Sequence, residues 1–379
     1  MTASPTTTST FYASLGSELA WYDLDVADAS VERRGAVQLP GSISYAWPHP
    51  SRRTLYVSSG NASGDNPPAF LSALRIEADG ALTPLGAPTP MPARATHITV
   101  DGAGTHVFAA HNRPPSVTVR RIEADGAIGE AVAQPADLDC GTFPHQVRVM
   151  PSDRSMILVS RGFDPSRGRP ESPGALKVMS VRDGVLADQA SIAPNGGYGF
   201  GVRHLDFHPT KPWLYVSVER HNALLMLDIG AGDALPAAPI YTKGTLSRVR
   251  DEAIAQGTGA IHVHPDGGTV YLSNRSDGEG EDNIAVFSID PATGEPALIQ
   301  HADTQSLHIR TFAIDPTGQL LIATSIHAYD VRDGAGTRTV PGGITVFRIG
   351  ADGRLDLARK YDIDAGERSM TWSGIIDRA

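Results

Sequence analysis

Most of the chain repeats one pattern: an alternating apolar strand, a turn containing Pro or Gly, and a second apolar strand. It recurs in "AWPHPSRRTLYVSS", "ITVDGAGTHVFAAH", "VRVMPSDRSMILVS", "LDFHPTKPWLYVSV", "IHVHPDGGTVYLSN" and "FAIDPTGQLLIATS". Alternation with a period of two marks half-buried strands, and turns this short join antiparallel neighbours. The turns align at Pro50, Gly102, Pro151, Pro209, Pro265 and Pro316, spaced by 52, 49, 58, 56 and 51 residues. Between them, segments such as "FLSALRIEADGALTPL", "SVTVRRIEADGAIGEA" and "NIAVFSIDPATGEPAL" read as a third and a fourth strand. Four antiparallel strands per repeat form one blade of a β-propeller.

Six repeats leave both ends of the chain over. "TFYASLGSELAWYDLD" and "VERRGAVQLP" supply three strands without a first, and "SMTWSGIID" supplies a lone one. Together they predict a seventh blade. The 379 residues divided by seven give about 54, close to the observed spacing. The expected fold is therefore all-β: a seven-bladed β-propeller of four-stranded antiparallel blades, its ring closed by N- and C-terminal strands in one blade. Residues 10–379 should form this single domain behind a disordered tail, residues 1–9. Closure also removes the free sheet edges that invite aggregation.

The repeat gives meaning to charges at strand ends. In an antiparallel pair the start of the first strand lies beside the end of the second. Six residues before each turn and ten after it stand Ser44 and Gly60, Thr96 and Asn112, His145 and Arg161, Arg203 and Glu219, Gly259 and Arg275, Arg310 and Ile326. In a propeller these positions surround one central funnel, so His145, Arg161, Arg203, Glu219, Arg275 and Arg310 are expected to converge. Guanidinium forks suit a carboxylate or phosphate. A carboxylate and a histidine among them offer acid and base groups.

Composition narrows the partners. A net charge of -10 and a pI near 5.7 argue against nucleic-acid or anionic-membrane surfaces, so any anion must be captured locally. Cys140 is the one cysteine and reads as a small buried hydrophobe, not a nucleophile. The start "MTASPTTTST" has neither a basic nor an apolar stretch, and no later segment has the apolar length to span a bilayer. A soluble cytoplasmic protein, monomeric or weakly homo-oligomeric, is expected. His262 with His264 and His204 with His208 are possible metal ligands, but neither pair has a carboxylate at ligand spacing. No metal or other cofactor is expected. "GGYGFG", residues 196–201, precedes a strand and not a helix, so it reads as a mobile loop at the funnel mouth and not as a phosphate cradle.

"FPHQVRVMP", "VRHLDFHPTKPWLYVSVE", "AIHVHPDGGTVYLSNR" and "IRTFAIDPTGQLLIAT" carry a family pattern. Over nearly its whole length the chain resembles the seven-bladed lactonase family, which includes bacterial 6-phosphogluconolactonase and fungal 3-carboxy-cis,cis-muconate lactonizing enzyme. The resemblance implies active-site roles for His145, Arg203, Glu219 and Arg275. The chain departs from the pattern at Val202, at Arg161 within "SRGFD", in the acidic insertion "SDGEGED", and in "TSIHAYDVRDGAGTRTVPGG" of the last repeat. These loops, 276–282 and 325–342, are expected to shape the mouth.

The expected function is metal-independent hydrolysis of a lactone of an anionic sugar acid or related carboxylic acid. Glu219 or His145 would be the base. Arg203 and Arg275 would hold the anion or the oxyanion, and Arg161, Arg310, His97, His204 and Asp164 would line the substrate. Two other readings stay open: a carboxymuconate-type cycloisomerase using the same residues, and a non-catalytic binding propeller. The latter lacks the Gly-His and Trp-Asp signatures of the common interaction propeller.

Overall fold

The computed structural model describes residues 9–61, 67–166, 168–251, 254–334 and 336–378. Seven antiparallel sheets follow one another as blades of a β-propeller. The first strands of blades 1 to 6 are Ile43–Pro48, Ala95–Val100, Pro144–Val149, Val202–Phe207, Gln256–Val263 and Ile309–Ile314. Blade 7 places the C-terminal strand Ser373–Asp377 against Ser9–Leu15, followed by Glu18–Asp25 and Ser30–Gln38. The two ends of the chain are thus hydrogen-bonded to each other, with Thr10 opposite Ile376 and the Ser9 hydroxyl donating to Asp377 at 2.7 Å. Ser9 already belongs to this strand, one residue before the expected domain boundary; residues 1–8 of the expected tail lie outside the described residues.

The strand pattern decides where the core lies. In Trp213–Val218, Leu214 and Val216 pack with blade 3, while Trp213 and Tyr215 pack with blade 5. Alternation sends successive side chains to opposite faces, and both faces of a blade are covered by a neighbour. Each of the seven blade interfaces has its own apolar cluster. Apolar packing therefore lies between blades, which leaves the axis to polar side chains.

Two repeated tethers fix the spacing of neighbouring blades. The hydroxyls of Tyr12, Tyr56, Tyr215 and Tyr271 donate to the carbonyls of Gly80, Gly126, Gly294 and Gly353 in the next blade, at 2.8 to 2.9 Å. His49, His208 and His264 stand just before their turn prolines. Each directs Nε2 at the carbonyl of Gly104, Gly267 or Gly318, at 3.0, 3.1 and 2.9 Å. A carbonyl only accepts, so these nitrogens carry protons and His208 and His264 are structural. Cys140 is buried, and burial pushes its thiol up to about 11. No helix among the described residues is long and apolar enough to cross a membrane.

Candidate active site

The rim positions share a backbone feature. In blades 1 to 6 the pairing of the first two strands skips Ser44, Thr96, His145, Arg203, Gly259 with Ala260, and Arg310. Each skipped position is a β-bulge, which bends the strand and re-aims its side chain. In a regular strand, neighbours would point to opposite faces. Here Ser44 with Tyr45, His145 with Gln146, Arg203 with His204, and Arg310 with Thr311 all line one axial cavity. Hydroxyls of the second strand bond the disturbed backbone: Ser217 accepts from the His204 amide at 3.1 Å, and Ser273 from the Ala260 amide at 3.0 Å. This accounts for the Ser that recurs near the end of the repeat. Gly259 leaves space that a side chain would take from Ser273 and Arg275, since a Cβ there would lie 2.3 Å from the Ser273 hydroxyl.

One side of the rim is ion-paired. Glu219 accepts from Arg161 through one carboxylate oxygen and from Arg275 through the other, and Arg203 Nε lies 3.5 Å from it. Arg161 also donates to Asp164 at 2.7 Å, and Arg220 ties Asp164 to Glu171. On the far side, Arg275 Nη1 is 3.0 Å from His308 Nε2, whose Nδ1 faces the Ser276 carbonyl at 3.2 Å and Asp277 at 3.3 Å. His308 Nε2 accepts and Nδ1 donates, because a guanidinium only donates.

The other side holds an unpaired arginine. Arg310 lines the axial cavity and makes no hydrogen bond or ion pair among the described residues. Arg203, only 1 % exposed, has its Nε without a hydrogen-bond partner. Burial, then Arg310 and Arg161, pushes the Arg203 guanidinium well down. The same crowding acts on His145: burial first, then Arg203, Arg310, Arg161 and Arg275, holds its imidazole far below the ordinary histidine range. His145 is therefore neutral at pH 7. Its ring is 5.0 Å from His204, which burial and then Arg203 also keep neutral.

The structure thus brings His145, Arg203, Glu219, Arg275, Arg161, Arg310 and His204 to one rim. Two expected substrate contacts lie elsewhere. Asp164 is the counter-ion of Arg161 and Arg220, half exposed and outside the axial cavity. His97 lies fully buried beneath the rim, with its ring 3.8 Å from Tyr45 and 6.0 Å from His204. His262, offered as a metal ligand, is 3.6 Å from Asp206, which Arg148 binds at 3.0 Å.

Sequence reasoning missed Arg220 and His308. Arg220 stands one place after the aligned position and hid behind Glu219. His308 precedes its strand with φ 52° and meets Arg275 only because blades 5 and 6 are adjacent, which the repeat alignment itself could have suggested. Of the insertions, residues 276–282 bind His308 through Asp282, which accepts from its amide at 2.6 Å. The hairpin Tyr329–Asp333 and Gly336–Val340 sets Tyr329 between His308 and His327, with ring separations of 5.8 and 4.6 Å. Residues 196–201, expected to be a mobile loop, bond the neighbouring segment: the Gly174 amide donates to Gly197 at 2.9 Å and the Gly199 amide to Glu171 at 2.6 Å.

The chain has counterparts among known proteins. The family model described as "Lactonase, 7-bladed beta-propeller" matches residues 6–332. The 6-phosphogluconolactonase of Bacillus subtilis (strain 168) is 29 % identical over 240 residues, which are 60 % of this chain and 62 % of that protein. That match therefore spans less than two thirds of the relative's length. The 6-phosphogluconolactonase of Pectobacterium atrosepticum is 27 % identical over 294 residues, covering 76 % and 78 %. A putative 6-phosphogluconolactonase from Bacteroides fragilis has a solved structure that superposes with a TM-score of 0.75, covering 100 % of both chains at 20 % identity, a likeness of fold.

Proposed function

We propose that this chain, which belongs to the seven-bladed β-propeller lactonase family, hydrolyses the lactone of an anionic sugar acid without a metal ion, at the rim where His145, Arg203 and Arg310 meet. One observation carries the reading: a neutral, buried histidine lines the same cavity as Arg310, which no carboxylate meets, and Arg203, whose Nε makes no hydrogen bond and stands 3.5 Å from Glu219. The name 6-phosphogluconolactonase, borne by relatives, supports a phosphorylated sugar lactone as the substrate class.

Opening a lactone needs a water relieved of a proton as it attacks the ester carbon, and positive charge where the carbonyl oxygen becomes an oxyanion. His145 is the better base of the two candidates. Glu219 already spends both oxygens on Arg161 and Arg275, whereas the His145 ring makes no hydrogen bond among the described residues. Water adds to the carbonyl carbon, His145 takes its proton, and Arg203 with Arg310 hold the tetrahedral oxyanion. As the ring C–O bond breaks, the histidinium returns the proton to the leaving alkoxide. The product is a hydroxy acid, which ionises at neutral pH. An entering anion also offsets the arginine field and raises the basicity of His145 when substrate is bound. Metal independence rests on the same field, because a divalent cation on this rim would face four guanidiniums.

The test is pH-stat titration of EDTA-treated protein with phosphorylated sugar, neutral sugar and muconate-derived lactones. Hydrolysis should survive chelation, and His145→Ala should lower kcat by about 10²–10⁴-fold with an unchanged melting temperature. A near-normal rate in His145→Ala removes this base. Failure to open any lactone removes the hydrolase reading in favour of cycloisomerisation or ligand binding.

A further inference from the structure

The axial cavity is too small for a sugar. Its water-accessible volume is ≈ 20 Å³, room for about one water molecule. A lactone ring cannot enter it, so the ring must lie outside with only its ester carbonyl turned inward. Beside the cavity lies a cleft of ≈ 560 Å³, within the size range of small-molecule sites. The two share Thr96, whose hydroxyl is 3.0 Å from the Pro144 carbonyl, immediately before His145. Phe143, also on the cleft wall, has its ring 6.3 Å from that of His145.

The cleft is positively charged in a chain whose net charge is -10. Arg94 and Arg113 line it, and none of its described lining residues is acidic. Arg94 makes one bond, from Nη2 to the Ile43 carbonyl at 3.3 Å, while its Nε is buried without a partner. Burial, and then repulsion from Arg310, pushes its guanidinium down, so Arg94 shares the field of the reacting end. Asn112, the rim residue of blade 2, adds a neutral amide suited to sugar hydroxyls.

We infer that this cleft is the substrate's seat, with a terminal phosphate monoester on Arg94 and Arg113, the sugar along Asn112 and Phe143, and the ester carbonyl turned toward Thr96 and His145. The inference rests on the lactonase reading for the position of the carbonyl but not for the phosphate. Arg94 thereby becomes the residue that separates phosphorylated from neutral lactones, a task the sequence alone assigned to the rim arginines.

The test compares wild type, Arg94→Gln and Arg94→Lys with 6-phosphogluconolactone and gluconolactone, and measures calorimetric binding of 6-phosphogluconate. Charge-assisted bonds to a phosphate are strong enough that Arg94→Gln should lower kcat/KM for the phosphorylated lactone by about 10- to 100-fold, mainly through KM. The loss on gluconolactone should be at least ten times smaller, and Arg94→Lys should recover part of the difference. Equal losses on both lactones overturn the assignment. If wild type opens neither lactone, the lactonase reading fails, and binding of 6-phosphogluconate decides the subsite: loss in Arg94→Gln supports it, and undiminished binding overturns it.

Discussion

On the side of the rim formed by blades 3 to 5, Arg161 and Arg275 share the carboxylate of Glu219, and the network extends through Asp164, Arg220 and Glu171. On the side formed by blades 6, 1 and 2, Arg310 has no hydrogen bond or ion pair among the described residues, and Arg94 gives one bond to a carbonyl. The residue type is the same, yet its availability differs. A buried pair adds little to stability but is costly to break. A buried, unpaired cation lowers stability and makes sense where an anion is to arrive. On the proposed function the paired side would act as the frame and the unpaired side as the grip, with Arg203 between them.

The largest effect should come from removing the charge at the centre of the frame. Glu219→Gln leaves three guanidiniums facing one another and should destabilise the fold by about 3–5 kcal/mol, read from the urea midpoint at constant m. A loss below about 1 kcal/mol, the scale of exposed pairs, would mean that the frame is held by something other than this carboxylate.

The grip should respond in the opposite sense. Arg310→Met removes a cation that repels Arg203 and Arg275, so the urea midpoint should stay or rise. Losing one donor to the oxyanion should nonetheless lower kcat by about 10²–10³-fold. Retained activity with a lower midpoint would make Arg310 part of the frame and erase the difference between the two sides.

Much of this was legible in the repeat. Alternation and turn spacing pointed to seven blades because interblade packing demands apolar residues on both faces of the inner strands. The aligned positions put His145, Arg203, Glu219 and Arg310 on one rim because antiparallel pairing leaves no other arrangement. What the sequence does not encode locally is the bulge, since no residue type is common to Ser44, Thr96, His145, Arg203, Gly259 and Arg310. Nor does it say which arginine finds a carboxylate. Arg161 and Arg310 are equivalent as letters, and only the neighbouring blade decides that one meets Glu219 and the other meets none. Asp164 illustrates the cost: expected to line the substrate, it has both oxygens bonded by arginines.

The histidines at and below the rim give the finest measure of the comparison, because they report the field of both sides. His97, His145 and His204 all have folded pKa values held well below 6.5, first by burial. Above pH 6.5 they are neutral in both folded and unfolded chains and add no pH dependence. As pH falls below 6.5 only the unfolded chain takes up these protons, so stability declines by up to about 1.4 kcal/mol per pH unit for each histidine. It stops declining once the folded values are reached. His97→Phe removes one such proton and should flatten the slope between pH 6 and 5 by about that amount; an unchanged slope would mean that His97 is already protonated in the native channel. For His145 the arginines can be ranked, since Arg310 acts on it more strongly than Arg161 does. Arg310→Met should therefore move the acid limb of kcat/KM, which reports the free enzyme, to higher pH further than Arg161→Met. If the two shifts are equal, the unpaired charge is no better placed than the paired one to tune the base.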